Sequence, residues 1–190
     1  MNQLNIILVV SLLLAWLSRR SLRAPGSHGF YRFFAWEAIA LLITLNLPNW
    51  FDNPLSPLQI VSWSLLALSV WLAASGFVRL KSAGGAAPAP PGDPNFGFEN
   101  TTRLVTGGIY SRIRHPLYSS LLFLTWGACL KRLSAEGLLA AVFASVFLFF
   151  TARIEEEENM KKFGAAYAAY MRTSGMFLPG PGWTRRHGVT

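Results

Sequence analysis

The chain has 190 residues, 52% of them hydrophobic and 14% charged, with a net charge of +8. So few charges leave too little polar surface to clothe a soluble domain of this length, and the apolar residues gather in blocks of membrane-spanning length. The basic residues flank those blocks without a stripe of base-stacking aromatics, which excludes a nucleic-acid surface, and the single cysteine, Cys129, excludes an intramolecular disulfide and a thiolate metal cluster.

The first apolar block covers 4–17 and ends at Ser18-Arg19-Arg20. No basic segment precedes it, and arginines stand where a cleavage site would lie, so it reads as a retained helix. A second block covers 33–47 and stops at Pro48; a third covers 58–80 and is entered through Ser56-Pro57. The fourth begins at Pro116 and reaches 130, and the fifth spans 138–152 before continuing as a polar helix through Glu158. Only 131–137 separates these last two, which makes them an antiparallel hairpin. The pattern predicts an all-α fold, an integral membrane bundle of five transmembrane helices in one domain over 1–190. Its parts are an N-terminal three-helix unit (1–81), a loop (82–115), the helical hairpin (116–158) and a C-terminal tail (159–190).

Orientation follows from the basic residues. With the amino terminus outside, Arg19, Arg20, Arg23, Arg32, Arg79, Lys81, Arg103, Arg112, Arg114, Arg153, Lys161, Lys162, Arg172, Arg185 and Arg186 all fall on the cytoplasmic side. Lys131 and Arg132 alone remain outside. The loop therefore lies in the cytoplasm and opens with a Gly- and Pro-punctuated linker over 82–92 that cannot hold a helix. The tail shows Met160, Phe163, Tyr167 and Tyr170 at spacings of three, four and three. That stripe suits a helix on the membrane surface or against the bundle.

Two clusters carry polar chemistry. The first is the run Leu104-Val105-Thr106-Gly107-Gly108-Ile109-Tyr110-Ser111-Arg112-Ile113-Arg114-His115-Pro116-Leu117-Tyr118. Pro116 suits the first position of helix four, which puts His115 at the cap and Tyr118 one turn in. Free N–H groups at a helix start, a guanidinium, an imidazole and two phenols suit an anionic or zwitterionic ligand. They also suit a capped helix with interfacial anchors. The second cluster is Arg153-Ile154-Glu155-Glu156-Glu157-Glu158. Successive carboxylates repel unless something positive meets them, and Arg153 can reach Glu157 at i,i+4. The hairpin brings both clusters to one membrane face, so His115 and Glu155 should be neighbours. Glu158 is expected to matter least to a ligand there. Glu37, an ionisable residue inside the second block, marks function or an interfacial position near the cytoplasmic end of its helix. No Gly-x-Gly-x-x-Gly follows a strand, no phosphate-binding loop is present, and His28, His115 and His187 lack metal-ligand spacing.

The residues from about 102 to 179 resemble the isoprenylcysteine carboxyl methyltransferase and phospholipid methyltransferase superfamily, small membrane enzymes that use S-adenosyl-L-methionine. The likeness rests on Leu-Val-Thr-x-Gly-x-Tyr-x-x-x-Arg-His-Pro-x-Tyr at 104–118, the Glu run, Phe163-Gly164-x-x-Tyr167-x-x-Tyr170 and Phe177-Leu178-Pro179. The resemblance implies a cytoplasmic cofactor cleft and catalytic roles for Arg114, His115 and Glu155. It implies cofactor contacts from Arg103, Leu104, Val105, Tyr110, His115, Pro116, Tyr118, Glu155 and Glu156. Counting back from Phe163-Gly164 selects Glu155 and Glu156, the preferred register because a gap inside a short helix would rotate its faces; counting forward from the superfamily's arginine selects Arg153 with Glu157. Arg153 and Glu37 are candidates for the substrate side. The implied partners are membrane lipids and a lipophilic acceptor bearing a carboxylate, amine or thiol, with no metal and no nucleic acid. The competing readings are an NADPH-dependent membrane reductase of the sterol-reductase type and a non-enzymatic membrane ligand-binding protein.

Overall fold

The computed structural model describes residues 2–85, 96 and 101–180. The linker beyond Gly85, apart from Phe96, and Arg185, Arg186 and His187 lie outside the described residues. Among those residues the fold is entirely helical: α1 Gln3–Leu17, α2 His28–Asn46, α3 Pro57–Ala83, α4 Pro116–Cys129, α5 Ala135–Phe163 and α6 Ala165–Thr173, with short 3-10 turns between some of them.

Three helical segments are long and apolar enough to cross a membrane: His28–Asn49, Pro57–Ala83 and Ala135–Phe163. By contrast α1 and α4 hold 15 and 14 residues, about 21–23 Å of helix against a hydrocarbon core of about 30 Å. Two boundaries differ from the sequence reading. The second helix starts at His28, more than a turn before 33, because Ser27 in extended conformation precedes it and His28 is tied to Glu158. Its middle is therefore Glu37, well away from either end. The fifth helix starts at Ala135, where Ser134 accepts from the Gly137 N–H, and its far end runs past the Glu run to Phe163. There Gly164 adopts φ +52°, a conformation that glycine reaches without a Cβ clash. The break splits the expected aromatic stripe between two helices and turns α6 back against the bundle.

Packing follows the small residues. Ala35, Ala38 and Ile39 of α2 meet Ala144, Leu148 and Ala152 of α5, with Tyr118 of α4 completing the cluster; short side chains let helix backbones approach closely. Hydroxyls and amides stitch α3 and α2 to α4. Ser62 donates to the Gly127 carbonyl at 2.7 Å, Ser69 to the Ser120 carbonyl at 2.7 Å, and Asn46 to the Ala128 carbonyl at 3.1 Å. No residue of α1 is buried; the helix is held to α2 by Gln3 donating to the Thr44 carbonyl and by Ser11 donating to Glu37 Oε2 at 2.6 Å. At the end of the bundle where α4 meets α5, buried Lys131 donates to Gln59 Oε1 and stands 3.3 Å from the Trp63 ring centroid. The indole face offsets an ammonium's desolvation.

Candidate active site

The other end of the bundle gathers the start of α4, the polar end of α5, and α6. His115 caps α4 and is 4% exposed. Its Nδ1 lies 3.8 Å from Glu155 Oε2 and its Nε2 lies 3.5 Å from Glu156 Oε1. The hairpin thus brings together residues 40 positions apart in the chain. The His115 ring stacks on Tyr118 at 5.5 Å and 15°, and Phe177 lies against it at 6.4 Å.

Glu156 is buried and held by Arg114, whose Nε donates to Oε1 at 2.8 Å. The same guanidinium donates to the carbonyls of Met171 and Ser174. Two polar atoms here have no hydrogen-bond partner among the described residues although both are buried: His115 Nε2 and Glu156 Oε2. Exposed Arg153 approaches the latter at 3.5 Å. It makes this i,i+3 approach in place of the expected i,i+4 reach to Glu157, which points to the outside of α5. Glu158 also turns away from the cleft and accepts from His28, whose Nδ1 is 2.6 Å from Oε2 and whose backbone N–H is 3.3 Å from Oε1.

The tail locks this arrangement. Arg114 N–H donates to the Gly175 carbonyl and His115 N–H to the Met176 carbonyl, while the N–H groups of Gly175 and Gly180 both donate to the Arg112 carbonyl. Ser119 reaches the Phe177 carbonyl at 2.8 Å. Residues 175–180 therefore form a strap that fixes the loop leading into α4. A Cβ on Gly175 would overlap the Leu178 carbonyl oxygen, so only glycine fits that bend.

These elements enclose a cavity of about 90 Å³ lined by Leu104, Val105, Tyr110, Arg114, His115, Pro116, Tyr118 and Glu155 from the expected set. Glu156 lies behind this wall, and Arg103 is exposed outside it. Leu80, Thr101, Leu117, Asn159, Phe163, Tyr167 and Tyr170 complete the lining. Asn159 carried no signal beyond its i+4 spacing from Glu155, and the tail aromatics were visible only as a stripe of uncertain facing. Glu37 lines a separate apolar cavity between α1, α2 and α5, with Ile7, Phe34 and Phe143.

Three tyrosines form the floor and wall. Tyr170 donates to the Tyr110 carbonyl at 2.6 Å. Burial raises the hydroxyl pKa of Tyr110, Tyr167 and Tyr170 above the ordinary phenol range. Nearby carboxylates add to it, Glu155 at Tyr110 and both Glu156 and Glu155 at Tyr167. They stay neutral hydrogen-bonding phenols at ordinary pH.

An imidazole between two carboxylates, one clamped by arginine, beside an aromatic cleft on a bundle with membrane-length apolar helices narrows the class. A family profile described as phospholipid methyltransferase matches residues 57–166, which includes α3, α4, α5 and every polar group just named. The chain belongs to the phospholipid methyltransferase family. It is therefore a membrane protein of a methyltransferase family. Among similar curated proteins is a methanethiol S-methyltransferase of Pseudomonas deceptionensis, 24% identical over 149 residues that make 77% of this chain and 53% of that protein. A second, from Pseudomonas sp. (strain GM41(2012)), is 30% identical over 71 residues, 37% of this chain and 26% of its own length. The chain matches about half the length of the first relative and about a quarter of the second. No solved structure matches it. Among the described residues no group of His, Cys, Asp or Glu side chains is placed to hold a metal ion.

Proposed function

We propose that this chain transfers a methyl group from S-adenosyl-L-methionine to a small lipophilic thiol at the cytoplasmic face of a membrane that it crosses five times, amino terminus outside. The observation that carries the reading is His115 set between Glu155 and Glu156, in the wall of an aromatic cleft. The donor set fits the cofactor. Glu155 faces the cleft and suits the methionine ammonium, the positive end of the α4 helix dipole suits its carboxylate, and Tyr110, Tyr118 and Tyr167 supply flat faces for a base or a sulfonium. Membership of the family supports the cofactor, and the names of the relatives favour a thiol over a carboxylate or an amine.

When bound, the cofactor supplies an electrophilic methyl on a sulfonium. The chain's own residues align and enclose. The 90 Å³ cavity has room for the reacting groups only, since pockets that hold a whole drug-sized ligand run to roughly 300–1,000 Å³. Leu80, Val105 and Leu117 give the cavity apolar lining that would exclude water, and in-line displacement gains most from fixed geometry. Five spans require α1 and α4 to cross with their flanks, as helices shorter than the core do where the bilayer thins around them.

Calorimetric titration of the purified protein with S-adenosylhomocysteine and with NADPH tests the cofactor. Binding of S-adenosylhomocysteine alone is expected, weakened by about 1–3 kcal/mol in His115→Ala and in Glu155→Ala. Binding of NADPH alone, or unchanged affinity in both folded variants, refutes the assignment. Transfer of radiolabelled methyl into a panel of thiols, fatty carboxylates and lipid amines then decides the acceptor.

A further inference from the structure

Resting on the thiol reading above, we infer that His115 Nδ1 is the base that takes the acceptor's proton, and that Glu156, clamped by Arg114, is the positioning residue that turns the imidazole to do so.

Two buried atoms beside the cleft lack hydrogen bonds among the described residues. His115 Nε2 and Glu156 Oε2 are each fully enclosed, and unmet polar groups in an interior carry a free-energy cost that the fold must offset by function or by a change on binding. Nε2 stands 3.5 Å from Glu156 Oε1 and has no other acceptor near it among the described residues. Glu156 is in turn fixed by the Arg114 guanidinium at 2.8 Å. A carboxylate so held accepts and does not donate, and it is nearer to the ring and more deeply buried than Glu155, so the nitrogen beside it carries the proton. The tautomer is then Nε2–H, and the lone pair lies on Nδ1. That atom is on the cleft side of the ring, toward Glu155 Oε2 at 3.8 Å. Tyr118 stacked on one face and Phe177 against the ring keep it from turning over. Nucleophile, base and orienter, in that order, make the arrangement by which a weakly acidic nucleophile is activated. The 3.5 Å separation is long for a hydrogen bond, as base–orienter contacts often are before a ligand closes the site.

The need for a base is chemical. An alkyl thiol is mostly protonated near neutral pH, since even the cysteine side chain titrates at about 8.5. In the step proposed, the S–H bond breaks toward His115 Nδ1 as the acceptor sulfur's electron pair forms the new S–CH₃ bond. The bond from methyl to the donor sulfur breaks, its electron pair staying on that sulfur, which becomes a neutral thioether. Products are the methylated sulfide, S-adenosylhomocysteine and a proton on His115, which leaves to water at the mouth beside Glu155. The other ionisable groups around the ring are Glu155 and Glu156 on α5, Arg114 and Tyr118 at the start of α4, and Tyr167 on α6.

The test uses the full chain with His115→Gln and Glu156→Gln, an alkyl thiol, and an aromatic thiol that is already ionised near neutral pH. At saturating donor, His115→Gln should slow methylation of the alkyl thiol by about 100-fold or more, the span of general base catalysis. Glu156→Gln should slow it by about 10-fold, a smaller loss because the amide still holds the ring loosely. With the aromatic thiol both losses should shrink severalfold. A second readout needs no turnover: in the S-adenosylhomocysteine complex, ¹⁵N spectra of labelled histidine should show Nε2–H at His115, and Glu156→Gln should erase that preference. Equal losses with both thiols, or an Nδ1–H tautomer in the unsubstituted protein, overturn the base assignment and leave the thiol reading standing. If no thiol is methylated while another acceptor is, the thiol reading falls and this assignment with it.

Discussion

Arginine 114 is the residue whose loss should be felt most, and its replacement tests the whole construction of the cleft. Alanine there removes the 2.8 Å contact to Glu156 and the donations to the Met171 and Ser174 carbonyls together. Both partners of the ion pair are nearly enclosed, at 9% and 3% side-chain exposure. Removing one member of a buried pair costs roughly 3–5 kcal/mol, because the remaining charge is left in a poor medium. Arg153 lies 3.5 Å from the other Glu156 oxygen and is half exposed, so it can swing inward and offset part of that loss. We therefore expect about 3 kcal/mol for Arg114→Ala, the lower end of that range. Glu156→Gln keeps an acceptor for the guanidinium and should cost about 1 kcal/mol. Leucine at both positions removes the charges together and should cost less than the two single losses summed. Reversible unfolding in mixed detergent micelles, followed by tryptophan fluorescence, measures all three. A loss below about 1 kcal/mol for Arg114→Ala would refute the claim that this pair holds α4, α5 and the strap together.

Three further outcomes follow from the same geometry. Gly175→Ala should lower the melting temperature and abolish S-adenosylhomocysteine binding in the same preparation, because the added Cβ meets backbone that no rotamer change can move; calorimetry on the folded fraction checks it. Glu158→Ala should reduce stability by about 1 kcal/mol through its lost contacts with His28, a third-exposed carboxylate being partly screened, and leave ligand affinity unchanged. The three cleft tyrosines contribute stability that is fully present below the ordinary phenol pKa of about 10 and is lost as pH rises toward their higher folded values. The melting temperature should hold from pH 7 to 9 and fall above about 10, and substitution of all three by phenylalanine should blunt the fall.

Much of this was legible in the sequence because the two signals involved are local. Apolar block length located all five apolar helices, and Pro116 fixed the start of α4 together with the place of His115. Proximity of His115 to Glu155 followed from one short connection between antiparallel helices. What was not legible depends on tertiary context. The early start of α2 is set by His28 meeting Glu158, 130 residues away, and no local propensity encodes that. Gly164 stood inside a helical pattern where one glycine is tolerated, and only the observed φ of +52° shows that the chain turns there. Among four adjacent glutamates, spacing allowed two registers and favoured the one that selects Glu155 and Glu156. The structure turns Glu155 to the cleft, Glu156 to Arg114, Glu157 outward and Glu158 to His28.

That division of labour among four identical side chains explains why the run is tolerated beside a membrane. Repulsion between neighbours on a helix falls when each carboxylate points to a different partner, and successive residues diverge by about 100° around the axis. One is met by a guanidinium, one by a histidine, one by solvent. Glu155 is left at the cleft with an imidazole edge 3.8 Å away and no Lys or Arg ion pair among the described residues. A site that meets two of four adjacent charges from within the fold, leaves one to solvent and turns the fourth to a cavity is arranged for a positive group arriving from outside. An ammonium or a sulfonium answers that description, and a reductase cofactor bearing phosphates would meet repulsion from Glu155 instead.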